Sequence, residues 1–498
     1  MNRVVVVGGG VSGLATAFRI QQRFALRHVP LEILLLEAQD RLGGKIRSER
    51  RDGYLFEWGP NGFLDGKPDT LALCSDLGIR GELLPSSDAA RKRYVLSGGK
   101  LHRVPESPVE FFRSSLLSVG GRLRILREPW VRATPPGMDT SIAEFGARRL
   151  GKEAADKLLD PMVSGILAGD PALLSLEACF PRIAELERDH GSLIRALVAL
   201  QKQRRREIVA SRQAGAETDA QQKKTASKAG PAGPAGILVS FREGAERLVT
   251  ALKERLGGSV QTGCVVESVA PDPGASAKVG YRVRVEERGV QRELACDAVV
   301  VAVPAYRAAR ILGSMDRGLS VLLQGIPYAA LVVVGLGFRE GETPGPLDGF
   351  GFLVPFTERT AVLGSLWTTR IFESRSPSGY VLTRNMVGGW RNSWVVSAEE
   401  EELEKMALGV LERATGVRGK VAFRYAVRHE QAIPSYLIGH GRRLDQIRGL
   451  LGRFPGVYLT GNAYRGVAIN DCTREAVRVA QEVEGDFLAG RWGERSAG

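Results

Sequence analysis

The sequence predicts an α/β chain, α+β overall, built from a Rossmann-like domain of discontinuous segments, a mixed-sheet domain and a helical lobe. Three observations carry that expectation. The N-terminus reads as strand, helix, strand: Arg3–Val7 is a continuous apolar run, Ser12 to about Arg27 has helical spacing, and Leu31–Leu36 is apolar again. Two distant stretches return to that pattern, Asp297-Ala-Val-Val-Val-Ala-Val-Pro304 as a buried strand and Gly456–Phe487 as a strand, a Gly-rich loop and a helix. Between them, about Pro108 to Arg206 is rich in helix formers and arginine. At 498 residues the chain exceeds what one core ordinarily organises, so two or three packed lobes are expected.

Taken in order, Phe241–Leu256 is expected to be helical, Val260–Ala270 and Tyr281–Glu287 to be strands, and 305–444 to mix both around Gly-Phe and Gly-Gly turns. Composition is that of a globular protein, with 44% hydrophobic and 25% charged residues. The net charge of +13 is partly local: between Leu200 and Gly236 there are eight basic residues against three acidic ones. The Ala/Gly/Pro/Lys bias of that stretch gives it little to bury, and 214–236 reads as a flexible surface insertion. Its basic run has no nucleic-acid-binding motif around it, so no nucleic-acid partner is expected. Five scattered cysteines without a C-x-x-C pair predict neither disulfides nor a metal site and fit a reducing cytoplasm. The first strand begins within three residues of Met1, which leaves no room for a signal peptide. The longest apolar run, Tyr328–Phe338, falls far short of the roughly 20 residues that span a bilayer.

Gly8-Gly9-Gly10-Val11-Ser12-Gly13 lies between the first strand and the first helix. Glycines at that spacing give a tight turn, close approach of a pyrophosphate and close helix–strand packing. Glu37, followed by Ala38, ends the second strand, where a carboxylate accepts hydrogen bonds from ribose hydroxyls and disfavours a 2′-phosphate. Beyond it, Arg41-Leu-Gly43-Gly44-Lys45 and Phe56-Glu-Trp-Gly59-Pro60-Asn61-Gly62 supply glycines and cations along the path of an elongated dinucleotide. Late in the chain, Gly461-Asn462-Ala-Tyr-Arg-Gly-Val467-Ala468-Ile469 opens a helix, and its main-chain amides can face a flavin.

These motifs resemble the amine oxidase and phytoene desaturase superfamily, which implies noncovalent FAD. The resemblance adds Val266 to the cofactor-binding residues. It also implies the domain division: 1–90, 237–304 and 445–498 around FAD, 91–107 and 305–444 around substrate, and 108–213 as a helical lobe. Nearly full-length similarity to the oxygen-dependent protoporphyrinogen oxidases of haem synthesis rests on several further segments. They are Arg93-Tyr-Val, Leu101-His-Arg-Val-Pro105, Ser164-Gly165-Ile-Leu-Ala-Gly169-Asp170, Leu186-Glu-Arg-Asp-His190, Gly349-Phe-Gly-Phe-Leu353, Met386-Val-Gly-Gly389 and Ile433-Pro-Ser-Tyr436. That likeness implies oxidation of protoporphyrinogen IX by FAD, with molecular oxygen as acceptor and hydrogen peroxide as product. Lys45 and the lengthened Arg23–Pro30 connection also resemble the bacterial coproporphyrinogen oxidases, so both tetrapyrroles stay open as substrate.

A porphyrinogen is a broad apolar ring with propionates at its edge and needs aliphatic walls and a cation. The resemblance gives Arg93 to a propionate, Leu353, Leu366 and Met386 to the ring, and Gly165 to close backbone approach. His102, His190, His429 and His440 form no motif, and no side chain is expected to act as acid or base. Phe111, Phe112, Leu116, Leu117 and Trp130, interleaved with Arg113, Arg122, Arg124, Arg127 and Arg132, are compatible with a lobe lying on an anionic membrane. Equally, they fit an apolar stripe facing the core. A homodimer, and transient contact with the enzyme taking the next step of haem synthesis, complete the expected partners.

Overall fold

The computed structural model describes residues 2–105, 108–213, 236–272, 280–342 and 347–493. Its first sheet is five-stranded and parallel. Asn2–Val7 lies at its centre between Leu31–Leu36 and Ala298–Val301, and Val260–Gln261 and Val457–Leu459 form the edges. These strands read as unbroken Val/Leu/Ile runs because both faces are covered. One face packs under the helices Val11–Leu26, Arg247–Leu256 and Ile469–Leu488 through Leu14, Ile20, Leu252 and Val479. Side chains of that size, fully buried, each contribute about 1.5–3 kcal/mol. The other face packs on Ala305–Ile311, on Arg317–Gln324 and on a three-stranded antiparallel sheet.

Three local expectations are corrected. Leu238–Phe241 is a strand, paired with Phe63–Leu64 and Leu83–Pro85, and the helix starts only at Arg247. Its four residues are needed to bridge two short strands, and pairing outweighs local helical spacing. The run Val260–Ala270 breaks at Gly263, so that Val260–Gln261 joins the parallel sheet and Cys264–Pro271 begins the antiparallel one. Of the stretch Arg23–Pro30, read as a longer loop, the residues through Leu26 belong to the helix and only 27–30 form the connection, with Arg23 and Arg27 both paired with Glu484 at the last turn. The basic insertion lies outside the described residues, save Gly236.

A second sheet has seven strands in the order Phe423–Pro434, Tyr328–Arg339, Tyr380–Gly388, Val362–Trp367, Gly351–Leu353, Arg93–Ser97, Lys100–Arg103. One face is sealed by the helix Glu400–Thr415, whose Leu403, Ala407 and Leu411 meet Val332, Val334 and Leu336. The other face, with Leu331, Val333 and Leu382, turns toward Tyr54 and Phe56 of the N-terminal part.

The helical lobe is organised around a buried charge network. Arg149 and Glu128 are both 0% exposed, and the guanidinium donates to Glu128 Oε1 at 3.0 Å and Glu187 Oε1 at 2.6 Å. Glu128 in turn accepts the Leu193 and Ile194 N–H groups at 2.9 and 3.1 Å, capping the helix Leu193–Gln213. Arg149→Met leaves the buried Glu128 without its cation, while Glu187 keeps Arg148 at 3.0 Å, and is expected to cost about 3–5 kcal/mol. Thermal unfolding reads the loss, and hydrogen exchange should show the Leu193 and Ile194 amides opening first.

Candidate active site

The first glycine loop is shaped by contacts that leave one side empty. Gly9 N donates to Glu37 Oε2 at 2.6 Å and Gln39 N to Oε1 at 2.9 Å, which fixes the carboxylate at the end of the second strand. A Cβ on Gly13 would lie 1.9 Å from the Gly8 carbonyl, so the helix is pressed onto the turn. A Cβ on Gly10 would meet nothing within 4 Å, and its φ of −72° suits any residue. The protein itself therefore gives no reason for glycine there; a ligand passing the helix N-terminus does. The first turn of that helix carries no acidic side chain, so its exposed N–H groups remain suited to a pyrophosphate. Ser12 is buried within it.

A second segment lies alongside. Gly43 N donates to Gly9 O at 2.8 Å, and Gly10 and Gly43 form a parallel bridge. Arg41 closes the turn on the carbonyls of Leu42 and Gly44, at 3.1 and 2.6 Å. Lys45 Nζ donates to Ala432 O and lies 5.3 Å from the Tyr328 ring centre. Among the described residues no carboxylate pairs with it, and burial pushes its ammonium down to about 8. A desolvated cation without a counter-ion matches an anionic cofactor. The Gly59–Pro60–Asn61–Gly62 turn touches this segment, since a Cβ on Gly59 would lie 2.3 Å from Lys45 O.

The third segment is the Gly461–Ile469 loop. A Cβ on Gly461 would meet nothing, and Asn462, Val467 and Ala468 lead into the helix that Ile469 anchors in the core. Tyr436 braces it: its hydroxyl donates to Asn462 O at 2.6 Å and accepts from Gly466 N at 2.9 Å. The Tyr436 ring stacks at 4.2 Å on His440, whose Nε2 lies 3.2 Å from Tyr464 O. Burial pushes the His440 imidazole down to about 4, so it stays neutral and structural. Ala38 sits beside Glu37 on the rim, whereas the Val266 side chain is buried with Val7 and Leu36 beneath the sheet. Asn61 Nδ2 and the Tyr464 hydroxyl are buried without a protein partner, as donors awaiting a ligand would be. The three segments fit an extended dinucleotide.

Sheet register assembles the second half of the site. Arg93 pairs with Gly351, Gly351 with Leu366 and Leu366 with Arg384, forming one transverse row. In the next row Leu353 pairs with Gly364 and Gly364 with Met386. Residues in register point to one face, so Arg93, Leu353, Leu366 and Met386 share the face opposite the Glu400–Thr415 helix. Gly165, on the helix Asp160–Leu167, closes over them: its Cβ would lie 2.4 Å from Leu353 Cδ2. Gly165 thus brings this helix down onto Leu353.

Two features escaped sequence reasoning. Arg384 is buried and holds the cofactor turn, donating to Asn61 Oδ1 and to Gly59 O at 2.7 Å; the signal available was a lone arginine inside the apolar strand Tyr380–Gly388. In the cluster of Asp160, Asp170 and Arg391, Asp170 ends the quoted Ser164–Asp170 segment, but its pairing with Arg391 was not legible because the two come from distant segments.

A glycine-lined cradle on a parallel sheet, facing the open side of a second sheet, defines an oxidoreductase that carries a flavin dinucleotide. The chain belongs to the flavin containing amine oxidoreductase family, whose sequence pattern matches residues 11–484. It is an FAD-dependent oxidoreductase, and FAD is its cofactor. The chain is 32% identical to the chloroplastic protoporphyrinogen oxidase of Oryza sativa subsp. japonica, covering 97% of this chain and 88% of that protein. It is 30% identical to the coproporphyrinogen III oxidase of Bacillus subtilis, over 94% and 95%, and 31% identical to human protoporphyrinogen oxidase, over 97% and 98%. The fold is shared with a solved Exiguobacterium sp. 255-15 structure at a TM-score of 0.78 and 24% identity, covering 97% of this chain and 99% of that one.

Gly10→Val should leave the fold intact, because the site has room, yet yield a colourless protein without FAD. Absorbance together with circular dichroism checks both halves. Tyr436→Phe removes two hydrogen bonds of about 0.5–1.5 kcal/mol each, so FAD titration of the apoprotein should show a dissociation constant raised at most about 5- to 150-fold.

Proposed function

We propose that the chain oxidises protoporphyrinogen IX to protoporphyrin IX in haem synthesis, with oxygen as electron acceptor and hydrogen peroxide as product. The observation that carries this reading is the transverse row, which sets a guanidinium at one side of an aliphatic floor. Arg93 and Met386 stand three strands apart, about 14 Å at the usual strand spacing, a breadth suited to a tetrapyrrole. When bound, FAD would supply the electron acceptor for the ring, with oxygen as the final acceptor. The chain's own residues have simpler work. Arg93 pairs a propionate bidentately and sets which bridging carbon is presented. Leu353, Leu366 and Met386 exclude water beneath the ring, and the Gly165 helix covers it. Residues 1–90, 237–304 and 445–498 would hold FAD, and 91–107 with 305–444 would hold the substrate.

Arg93 lies 5.5 Å from the Phe350 ring at an exposed position, as a cation at the rim of an apolar chamber would. Arg93→Ala should keep FAD bound and lower kcat/KM for protoporphyrinogen about tenfold to a few hundredfold, mostly through KM, if the contact is worth about 1.5–3 kcal/mol. Arg93→Lys should recover part of the loss. Porphyrin fluorescence follows the reaction, and unchanged kinetics in the alanine variant would place the propionates elsewhere.

A surface feature favours peripheral attachment to an anionic membrane. Leu116 and Leu117 are core residues, as the core-facing alternative has it, and the side chain of Phe112 lies outside the described residues. Instead Val119, Leu123, Leu126 and Trp130, spaced as one helical face, are 45–79% exposed. Arg113, Arg127 and Arg132 are exposed around them. Among the described residues no helix is long and apolar enough to cross a membrane. Trp130→Glu with Leu123→Glu should abolish co-sedimentation with phosphatidylserine vesicles while leaving turnover in detergent unchanged.

A further inference from the structure

An arginine buried in an apolar strand has two demands, partners for its donors and a counter-charge for its cation. Arg384 meets the first in part. One terminal nitrogen donates to Asn61 Oδ1 and the other to Gly59 O at 2.7 Å, and both acceptors are neutral. Its Nε is buried without a protein partner, as is Nδ2 of the same Asn61. The second demand is not met, since among the described residues no carboxylate forms an ion pair with Arg384. Glu57, 1% exposed, is the carboxylate whose charge reaches it, but its oxygens are taken by Ser48 Oγ at 2.7 Å and Ala245 N at 2.9 Å. Glu57 is also shared with Arg375, which is 0% exposed and held by neutral acceptors, Phe241 O at 3.0 Å and Ser240 Oγ at 3.2 Å. Two buried guanidiniums thus face one carboxylate.

This surplus charge sits where the glycine-lined cradle meets the second sheet. A path of contacts leads to it from the first helix: Gly10 bridges Gly43, a Cβ on Gly44 would lie 3.5 Å from Gly10 Cα, and a Cβ on Gly59 would lie 2.3 Å from Lys45 O. Gly59 and Asn61 then hand the path to Arg384. His429 feels the same cations. Its Nε2 lies 2.9 Å from Trp58 O, next to Gly59, and burial, followed by the charges of Lys45, Arg384 and Arg41, pushes its imidazole down, so it brings no counter-charge. On the sheet side Arg384 ends the row that runs through Leu366 and Gly351 to Arg93.

FAD carries charge of two kinds. Its pyrophosphate is a permanent anion, and the N–H groups of the helix that starts beyond Gly10 suit it. Its isoalloxazine ring is uncharged when oxidised and gains negative charge when two electrons arrive with fewer than two protons. A buried cation without a resident anion stabilises the reduced ring more than the oxidised one, because Coulomb attraction is strong where water is excluded. We propose that extended FAD brings its redox-active ring to the turn held by Arg384, and that the uncompensated charge of Arg384 raises the reduction potential of the bound cofactor. That role is independent of which substrate supplies the electrons.

Charge and bracing are separable by substitution. Arg384→Gln keeps a donor for the turn and removes the charge, whereas Arg384→Lys keeps the charge and loses the fork. Asn61→Asp leaves Arg384 in place, preserves its acceptor and gives it a counter-ion. Each variant is compared with wild type at saturating FAD. The two-electron midpoint potential is read by equilibration with a reference dye, sulfite titration of the oxidised flavin gives a second reading of the same field, and thermal unfolding reads the brace. Arg384→Gln and Asn61→Asp should shift the equilibrium toward oxidised FAD by about ten- to a hundredfold, which is about 30 to 60 mV for two electrons, and should weaken sulfite binding in the same direction. Arg384→Lys should stay within about threefold of wild type in both readings while unfolding at a lower temperature. If Arg384→Gln does not retain FAD, Asn61→Asp and Arg384→Lys carry the same comparison. A potential and a sulfite affinity that do not move when the charge is removed or neutralised, or that fall as far in the lysine variant, overturn the proposal and leave Arg384 as a brace alone. No porphyrinogen enters these measurements, so neither result bears on the substrate.

Discussion

Arg384 leaves a strand of the seven-stranded sheet and ends, 3% exposed, on the side-chain Oδ1 of Asn61 and the main-chain carbonyl of Gly59. Burial pushes its guanidinium down to about 10, with the Glu57 carboxylate opposing the fall. A cation so enclosed is costly unless its donors are used, and two of them are used to hold the turn that belongs to the cofactor half of the molecule. The proposed substrate floor and the glycine-lined cradle are thereby joined by one side chain. Arg384 also closes the row that begins at Arg93, so the residue fixing the cofactor turn and the residue proposed to fix the substrate stand in one register. Glu57, buried on the other side of the turn, accepts from Ser48 and Ala245 at 2.7 and 2.9 Å and ties this junction back to the Arg247–Leu256 helix region.

Strand pairing gives the site its dimensions. Four strands contribute one or two side chains each to the floor, and their spacing is set by main-chain hydrogen bonds rather than by the side chains themselves. The Asp160–Leu167 helix lies over this floor because Gly165 lets it settle on Leu353 and because Arg391 ties both its ends.

The charge of the chain divides in the same local way. Some arginines, such as Arg149, are consumed in buried networks that cap helices; others, such as Arg127 and Arg132, ring the exposed apolar face of the helical lobe. Net charge alone does not separate these roles. Nor does apolar patterning, since Leu117 is core and Val119, two residues later, is exposed. Both belong to one short stretch whose burial depends on which neighbouring helix reaches it.

The sequence by itself determined the parallel sheet and the FAD cradle. Strands buried on both faces must be continuously apolar, and a turn that admits a pyrophosphate must lack side chains, so both leave marks within a few adjacent residues. Gly8 to Gly13, Glu37, Gly43, Gly44 and Gly461 were legible for that reason, and Arg93, Leu353, Leu366 and Met386 were named through resemblance. Only the tertiary structure decided that those four share a face, that Leu238–Phe241 is a strand, and that Arg384, Tyr436 and the Asp160–Arg391–Asp170 cluster hold the site together. Each of these depends on partners far apart in the chain: Arg384 lies 325 residues from Gly59, and Arg391 lies 231 from Asp160. Local propensity carries no information about such pairs, because the energy that selects them exists only once the sheets have paired and water has been excluded between them.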